Sequence, residues 1–478
     1  MRLRFLYNAG FIVALNLLVK PFWIFAIDRR IQNQSGPELY GEYYGLVGFS
    51  LLLSALLDAG IANFNARKVA IEKTDGLQWL PYLLGFKLVL FVAYVAITLG
   101  LAQLSGIRGQ AWQWLLLICI NQGLNLFNTY LRSNLAGLQR FKLEGLLGIT
   151  DKLLMSALAL PLVWGRQIFS SQLITDFILV QTLSYAITFA LLLIISGRLT
   201  TLALRFSLSR FAQVGRQTLP FAILGILMGL YTKLDAVLLI QLLPDGAYAA
   251  GIYAAGYRLL DAASMVPALI SGILLPQFAA LLSSKQLQPS FVRTVALLMG
   301  GLGSIGAMLT WVHAPAIIKL LYHHQNPVQV QVFRWLMLAF IPLSLNYVFG
   351  TLLTALGKLK LLIAIAGIFL TLNAIGNSWL IPSKAAAGAA WVTFFTQTGL
   401  FLVQGGVVWR HFRWPFDAGF LLRMAGFTAL MWGSSMLIPW PSHWQAMILH
   451  TLLLVTLLLV FFGKPIINHI IASQKGRF

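Results

Sequence analysis

The chain has 478 residues, 59% of them hydrophobic and only 10% charged, whereas soluble domains average about 25% charged, so the composition excludes a soluble globular protein. The net charge of +21 would point to nucleic acid in a soluble chain, but here it follows from the positive bias of short cytoplasmic loops, and no nucleic-acid partner is expected. One cysteine, Cys119, excludes a disulfide framework and a cysteine-rich metal site.

A helical span needs about 20 mostly apolar residues. About fourteen stretches qualify, near residues 6–27, 40–65, 79–104, 111–135, 144–164, 171–196, 217–243, 247–282, 292–312, 328–356, 359–381, 385–409, 416–438 and 445–463. The runs are continuously apolar and do not alternate, which excludes a membrane β-barrel. Met1-Arg2-Leu3-Arg4 resembles the start of a signal peptide, but the apolar run that follows is too long and lacks a clear cleavage site. It reads as an uncleaved first span. Gly36-Pro37-Glu38 reads as the turn into the second span, with Gly41 and Gly45 allowing close helix approach. The longest polar connection, about residues 197–216, divides the first six spans from the next six. The expected domains are therefore 1–197, a six-helix lobe; 198–411, a second six-helix lobe; and 412–478, two further spans and a short tail.

The loop charges set the orientation. With the N-terminus inside, inner segments hold 22 Lys and Arg and outer segments 6. That asymmetry predicts an even number of spans with both termini inside. The six remaining cations, Lys20, Lys87, Lys152, Lys233, Arg258 and Arg334, fall within apolar segments. A charge in hydrocarbon costs roughly 3 kcal/mol or more, so such residues usually face a bundle interior or a wet cavity. Together they predict a cationic cavity suited to an anionic ligand. For Lys152 and Arg334, nearer span ends, snorkelling to the headgroups is the competing reading. For Arg258 it is neutralisation by Asp261, three residues on.

The halves also look related. Arg140, Lys142 and Leu143 after the fourth span align with Lys358, Lys360 and Leu361 after the tenth. Lys20 aligns with Lys233, and Gly41-Glu42-Tyr43 with Gly251-Ile252-Tyr253. An offset of six spans preserves orientation, so the repeat is parallel, as in transporters with two similar halves.

Several stretches in order resemble the oligosaccharide flippases of bacterial polysaccharide synthesis, within the multidrug/oligosaccharidyl-lipid/polysaccharide exporter (MOP) superfamily. They are Gly36-Pro37-Glu38-Leu39-Tyr40-Gly41-Glu42-Tyr43, Leu57-Asp58-Ala59-Gly60, Lys233-Leu234-Asp235, Ala250 to Leu259, Leu353-Thr354-Ala355-Leu356-Gly357-Lys358, Asn373, Ile381-Pro382 and Gly388-Ala389-Ala390. The resemblance implies an all-α integral membrane protein with two six-helix lobes in a V around a central cavity. It implies alternating access and an undecaprenyl-diphosphate-linked glycan as substrate, in a bacterial inner membrane. A polysaccharide polymerase is the partner the pathway suggests. The family also implies a cation site, which would fall on Asp235, Asn373, Asn377 and Thr393. All four supply oxygen ligands for Na⁺, but the family has a second carboxylate where Asn377 stands, and polar glue between helices is the competing reading.

No cofactor is expected beyond Na⁺ or H⁺ coupling. A cation-coupled multidrug exporter of the same superfamily is the alternative, though it would favour acids over bases in its cavity. A membrane glycosyltransferase or polymerase is a further alternative. No Asp-x-Asp occurs for a metal-dependent transferase, and no large outer loop for a polymerase. His323-His324 reads as an outer loop with no acid or Cys near it in sequence.

Overall fold

A computed structural model describes residues 16, 18–58, 61–72, 78–164, 172–199, 203–323, 326–412, 418–438, 440–441 and 444–474. Most of the first expected span, and Lys73, Arg166, His324, Arg413, Lys475 and Arg477, lie outside them. Among the described residues the secondary structure is helical throughout, without strands. Backbone groups in lipid must be satisfied within the segment, and continuous apolar runs leave the helix as the solution.

The elements are α1 (a π-helical stretch, Trp23–Asp28), α2 (Arg29–Asp58), α3 (Ile61–Glu72), α4 (Leu80–Leu104), α5 (Gln110–Gly137), α6 (Phe141–Trp164), α7 (Gln172–Gly197), α8 (Leu208–Leu242), α9 (Gly246–Ser283), α10 (Pro289–Leu321), α11 (Pro327–Ala355), α12 (Leu359–Phe412), α13 (Ala418–Leu437) and α14 (Trp444–Gln474). Eight described helices are long and apolar enough to cross a membrane by length and composition alone. The wide π turn of α1 follows Pro21, which cannot donate to the preceding helical turn.

Two breaks fall where turns were expected. α2 is interrupted at Gly36, with φ 80° and ψ 166°, a conformation open mainly to glycine. α12 is interrupted at Ala385, with φ 47° and ψ −134°, between the expected eleventh and twelfth spans. Two boundaries differ from expectation. The second span ends at Asp58 and a separate helix follows at Ile61–Glu72. α8 begins at Leu208, because Arg210, Gln213 and Arg216 continue as its first turns rather than as loop.

The repeat reappears in backbone hydrogen bonds. After α5, Gln139 N–H donates to Ala136 O and Arg140 N–H to Leu135 O. After α11, Gly357 N–H donates to Thr354 O and Lys358 N–H to Leu353 O. Each bond has its counterpart at an offset of 218, and Gln139 (φ 59°) and Gly357 (φ 71°) are both left-handed. This is the Schellman cap, which also closes α4 at Gly106 and α9 at Lys285.

The chain packs as two compact units, residues 1–251 and 252–478. In the first, Leu80, Leu83, Tyr130, Leu131, Leu135 and Leu192 form a buried core joining α4, α5 and α7. α8 belongs to this unit because it lies along α2 through small residues. A Cβ on Gly45 would run into the Ile240 side chain of α8, and one on Gly41 into Ala247 O at the start of α9. A Cβ on Gly251 would run into Pro37 O. Gly41 and Gly251, the paired glycines of the repeat, thus seat the same crossing.

In the second unit, α10, α11 and α12 pack around Val348, Leu352 and Leu353. α13 and α14 join α10 through Leu297, Met308, Phe427, Met431, Leu454 and Phe462. Their outer ends are tied by a buried polar chain. His450 Nδ1 lies 3.2 Å from His313 Nε2, and His450 Nε2 lies 3.0 Å from Ser435 Oγ. The Trp440 ring stacks on His450 at 4.3 Å.

Candidate functional site

The first unit contains a polar pocket of about 300 Å³. Helical spacing builds it. Asn125, Thr129 and Arg132 are four and three residues apart on one face of α5. Glu144, Gly148 and Asp151 repeat that spacing on α6. Asn16 and Lys20 reach in from the chain before α1, and Lys152 and Tyr185 complete the lining. Three cations and two carboxylates thus share one small volume.

The charges are held by specific contacts. Arg132 Nε lies 3.3 Å from Glu144 Oε1, and Lys152 Nζ lies 3.7 Å from Asp151 Oδ2. Lys152 also donates to Tyr185 OH at 3.3 Å and stands 5.5 Å from the Trp23 ring centroid. Trp23 stacks on Phe177 at 5.6 Å, so the π turn that follows Lys20 is anchored on α7. Gly148 makes room for the guanidinium: a Cβ there would sit 3.0 Å from Arg132 Nη1. None of the five ionised side chains is fully buried, so water or a ligand anion can reach them.

Two of the six expected intramembrane cations, Lys20 and Lys152, come together here. Lys87 is 0% exposed on α4, with its ammonium 5.8 Å from the Tyr130 ring. Lys233 is half-buried on α8, 5.3 Å from the Tyr44 ring. In the second unit, Arg258 is half-buried on α9. Arg334 Nε donates to Trp311 O at 2.9 Å, with the guanidinium 5.6 Å from that ring.

Of the expected cation-site residues, Asp235 lies buried in the first unit. Asn373, Asn377 and Thr393 lie buried in the second. Asn377 Nδ2 donates to Asn373 Oδ1 at 3.0 Å, and Thr393 Oγ1 lies 3.3 Å from Tyr253 OH.

Sequence reasoning missed Arg132, Glu144 and Asp151. Arg132 counts among the inner-segment charges although the expected span 111–135 contains it, and it lies well inside α5. Asp151 beside Lys152 inside an apolar run was the available signal. Asp28, one residue past the expected first span, is buried and accepts a hydrogen bond from Tyr40 OH at 2.8 Å.

The chain is a multi-pass helical protein, and its fold is that of MOP superfamily proteins. The structure is similar to the lipid II flippase MurJ in an inward closed conformation, with a TM-score of 0.70 at 13% identity, covering 99% of both chains. It is similar to an inward-facing multidrug resistance MATE family transporter, with a TM-score of 0.63 at 12% identity, covering 82% of this chain and 94% of that one. It is also similar to a MOP superfamily transporter from Pyrococcus furiosus, with a TM-score of 0.59 at 12% identity, covering 85% and 94%. No curated protein matches at the sequence level. The family described as polysaccharide biosynthesis protein matches residues 31–282, more than half of the chain, and the protein belongs to that family.

Proposed function

We propose that the protein is a flippase that moves an undecaprenyl-diphosphate-linked oligosaccharide from the cytoplasmic to the outer leaflet of a bacterial inner membrane. The observation that carries this reading is the pocket of Lys20, Arg132 and Lys152 in a chain of the polysaccharide biosynthesis family. A diphosphate presents about two negative charges, which Lys binds as a point charge and Arg as a fork. Glu144 and Asp151 hold Arg132 and Lys152 in place while the pocket is empty. The arriving diphosphate competes with them for the cations, so binding and release stay balanced.

Lys233 and Arg258, both half-buried, are the next stations for the headgroup as the two repeat halves alternate access. Lys87 is wholly enclosed and Arg334 is held on a backbone carbonyl, which leaves both outside the path. Na⁺ or H⁺ coupling through Asp235, with Asn373, Asn377 and Thr393, would supply the drive. No bond is made or broken, so no catalytic residue is assigned. A polysaccharide polymerase would take up the exported glycan.

The test is flipping of a fluorescent undecaprenyl-diphosphate oligosaccharide in proteoliposomes, with and without a Na⁺ or proton gradient. Lys20→Ala with Lys152→Ala should abolish flipping without loss of membrane insertion. Normal flipping by that double variant would overturn the assigned pocket. Uptake of cationic dyes in place of the glycan would move the function to drug export, where Glu144 and Asp151 would be the binding groups.

A further inference from the structure

The first unit holds a second cavity of about 500 Å³ whose lining is entirely apolar. Leu84, Leu88 and Phe91 of α4 form one wall, and Leu124 and Phe127 of α5 with Leu193 of α7 form the others. Ala203 and Leu204 close it at one end. These two residues open a non-helical segment, 203–207, in the connection between the repeat halves. The segment is docked on the start of α4. Arg205 N–H donates to Pro81 O at 3.1 Å, and Gly85 permits the approach, since a Cβ there would sit 2.5 Å from Arg205 O.

The same segment has two unlike sides. Leu204, Phe206 and Leu208 are 56%, 60% and 87% exposed. On the basic side, the Arg210 guanidinium lies 3.9 Å from the Tyr82 ring and 5.0 Å from the Trp79 ring. Arg205 lies 5.8 Å from the Tyr82 ring, and Lys68 Nζ 4.3 Å from the Trp79 ring. Three cations thus gather on two aromatic rings beside the mouth of an apolar cavity. Trp and Tyr prefer the headgroup level of a bilayer. The charge bias of the loops places this edge on the cytoplasmic side, where anionic lipids attract basic segments.

We propose that the cavity and its rim bind an anionic glycerophospholipid of the cytoplasmic leaflet. Its phosphate lies on Arg205 and Arg210, with Lys68 as the third cation, and an acyl chain fills the space between α4, α5 and α7. Two arginines sharing one ring match a single phosphate. The exposed Leu204, Phe206 and Leu208 insert beside the lipid. The occupant pins the connection between the repeat halves to α4 and is a resident lipid, not cargo. The proposal requires membrane placement only and stands whether or not the protein flips a glycan.

Native mass spectrometry of the detergent-purified full chain tests it, with phosphatidylglycerol and phosphatidylcholine of identical acyl chains. The wild type should retain phosphatidylglycerol at least tenfold over phosphatidylcholine. Arg205→Gln with Arg210→Gln should remove that preference, and Arg205→Lys with Arg210→Lys should keep most of it. Ala203→Trp, which narrows the cavity and leaves the arginines in place, should lower retention of phosphatidylglycerol severalfold. Equal retention of both lipids by the wild type, or an unchanged preference in the double Gln variant, would overturn the site. Displacement of phosphatidylglycerol by equimolar undecaprenyl phosphate would also overturn it, since the cavity would then belong to the carrier lipid.

Discussion

The two compact units solve the burial of polar groups differently. In the first, ionised side chains gather: Lys20, Arg132, Glu144, Asp151 and Lys152 share one pocket, and Lys87 and Asp28 are buried elsewhere in the unit. In the second, the buried polar pairs are mostly neutral. Asn346 Nδ2 donates to Gln397 Oε1 at 2.8 Å, Asn377 donates to Asn373, and Tyr253 meets Thr393. His450 links His313 to Ser435. Neutral pairs between helices satisfy each other at modest cost and fix the helices in place. Ionised groups at membrane depth cost more and persist where water or a ligand compensates them. A duplicated backbone with the same cap in both halves has therefore kept its geometry and diverged in its charge. The first unit carries the features of a binding surface, and the second those of a packed frame.

Substitutions at the shared crossing should have the largest effect. Gly41→Leu and Gly251→Leu each drive a side chain into backbone, where overpacking costs about 1–3 kcal/mol or more even in an adaptable core. Both should abolish the monodisperse peak in size-exclusion chromatography. Tolerance of one but not the other would break the equivalence of the two glycines.

Next comes the charged pocket. Arg132→Glu sets a second carboxylate against Glu144 and removes one of three cations. Glycan flipping should fall at least tenfold, since each lost charge-assisted contact is worth roughly 1.5–3 kcal/mol. Glu144→Gln should weaken flipping far less, because it removes the competitor of the diphosphate and not its ligand. Equal losses in both would mean that the ion pair is structural.

The frame should respond in stability and not in transport. His450→Ala strands His313 and Ser435, and each unsatisfied buried group costs about 1–3 kcal/mol. Melting in detergent should drop, while flipping measured below the melting temperature should stay within twofold of wild type. A selective loss of flipping with no change in melting would assign α13 and α14 to the transport path.

The difference between the units was partly visible in the sequence. Helices in lipid declare themselves by long apolar runs, so the expected spans match helices from α4 to α14, and Gly36-Pro37 marked a true break. Helix ends are harder to read, because α8 and α14 run several residues past their apolar stretches. Arg132 and the pocket's carboxylates are not legible for another reason: each pocket residue is ordinary in its own segment. The convergence of α5, α6 and the chain before α1 is a matter of packing, which no local pattern records. Lys20 and Lys152 stand out in the sequence because a lysine in hydrocarbon is costly wherever it points. Lys87 satisfied the same criterion, yet it is enclosed against Tyr130. Depth in a span and access to a path are separate properties.

The smallest effect bears most directly on what the repeat retained. Gln139 and Gly357 occupy the same cap position with the same hydrogen bonds and nearly the same φ. A side chain in the left-handed region costs roughly 1–2 kcal/mol. Glycine avoids that strain but loses about 0.5–1 kcal/mol through its freer unfolded state. Gln139→Gly should therefore stabilise the first unit by at most about 1 kcal/mol, and Gly357→Gln should destabilise the second by a similar amount. Thermal melts of the two variants in one detergent measure both. Opposite shifts of similar size would show that the two caps are energetically interchangeable. A lower melting temperature for Gln139→Gly would instead mean that the Gln139 side chain makes a contact that the second half has lost, so that the divergence between the units extends from their charges to the cap itself.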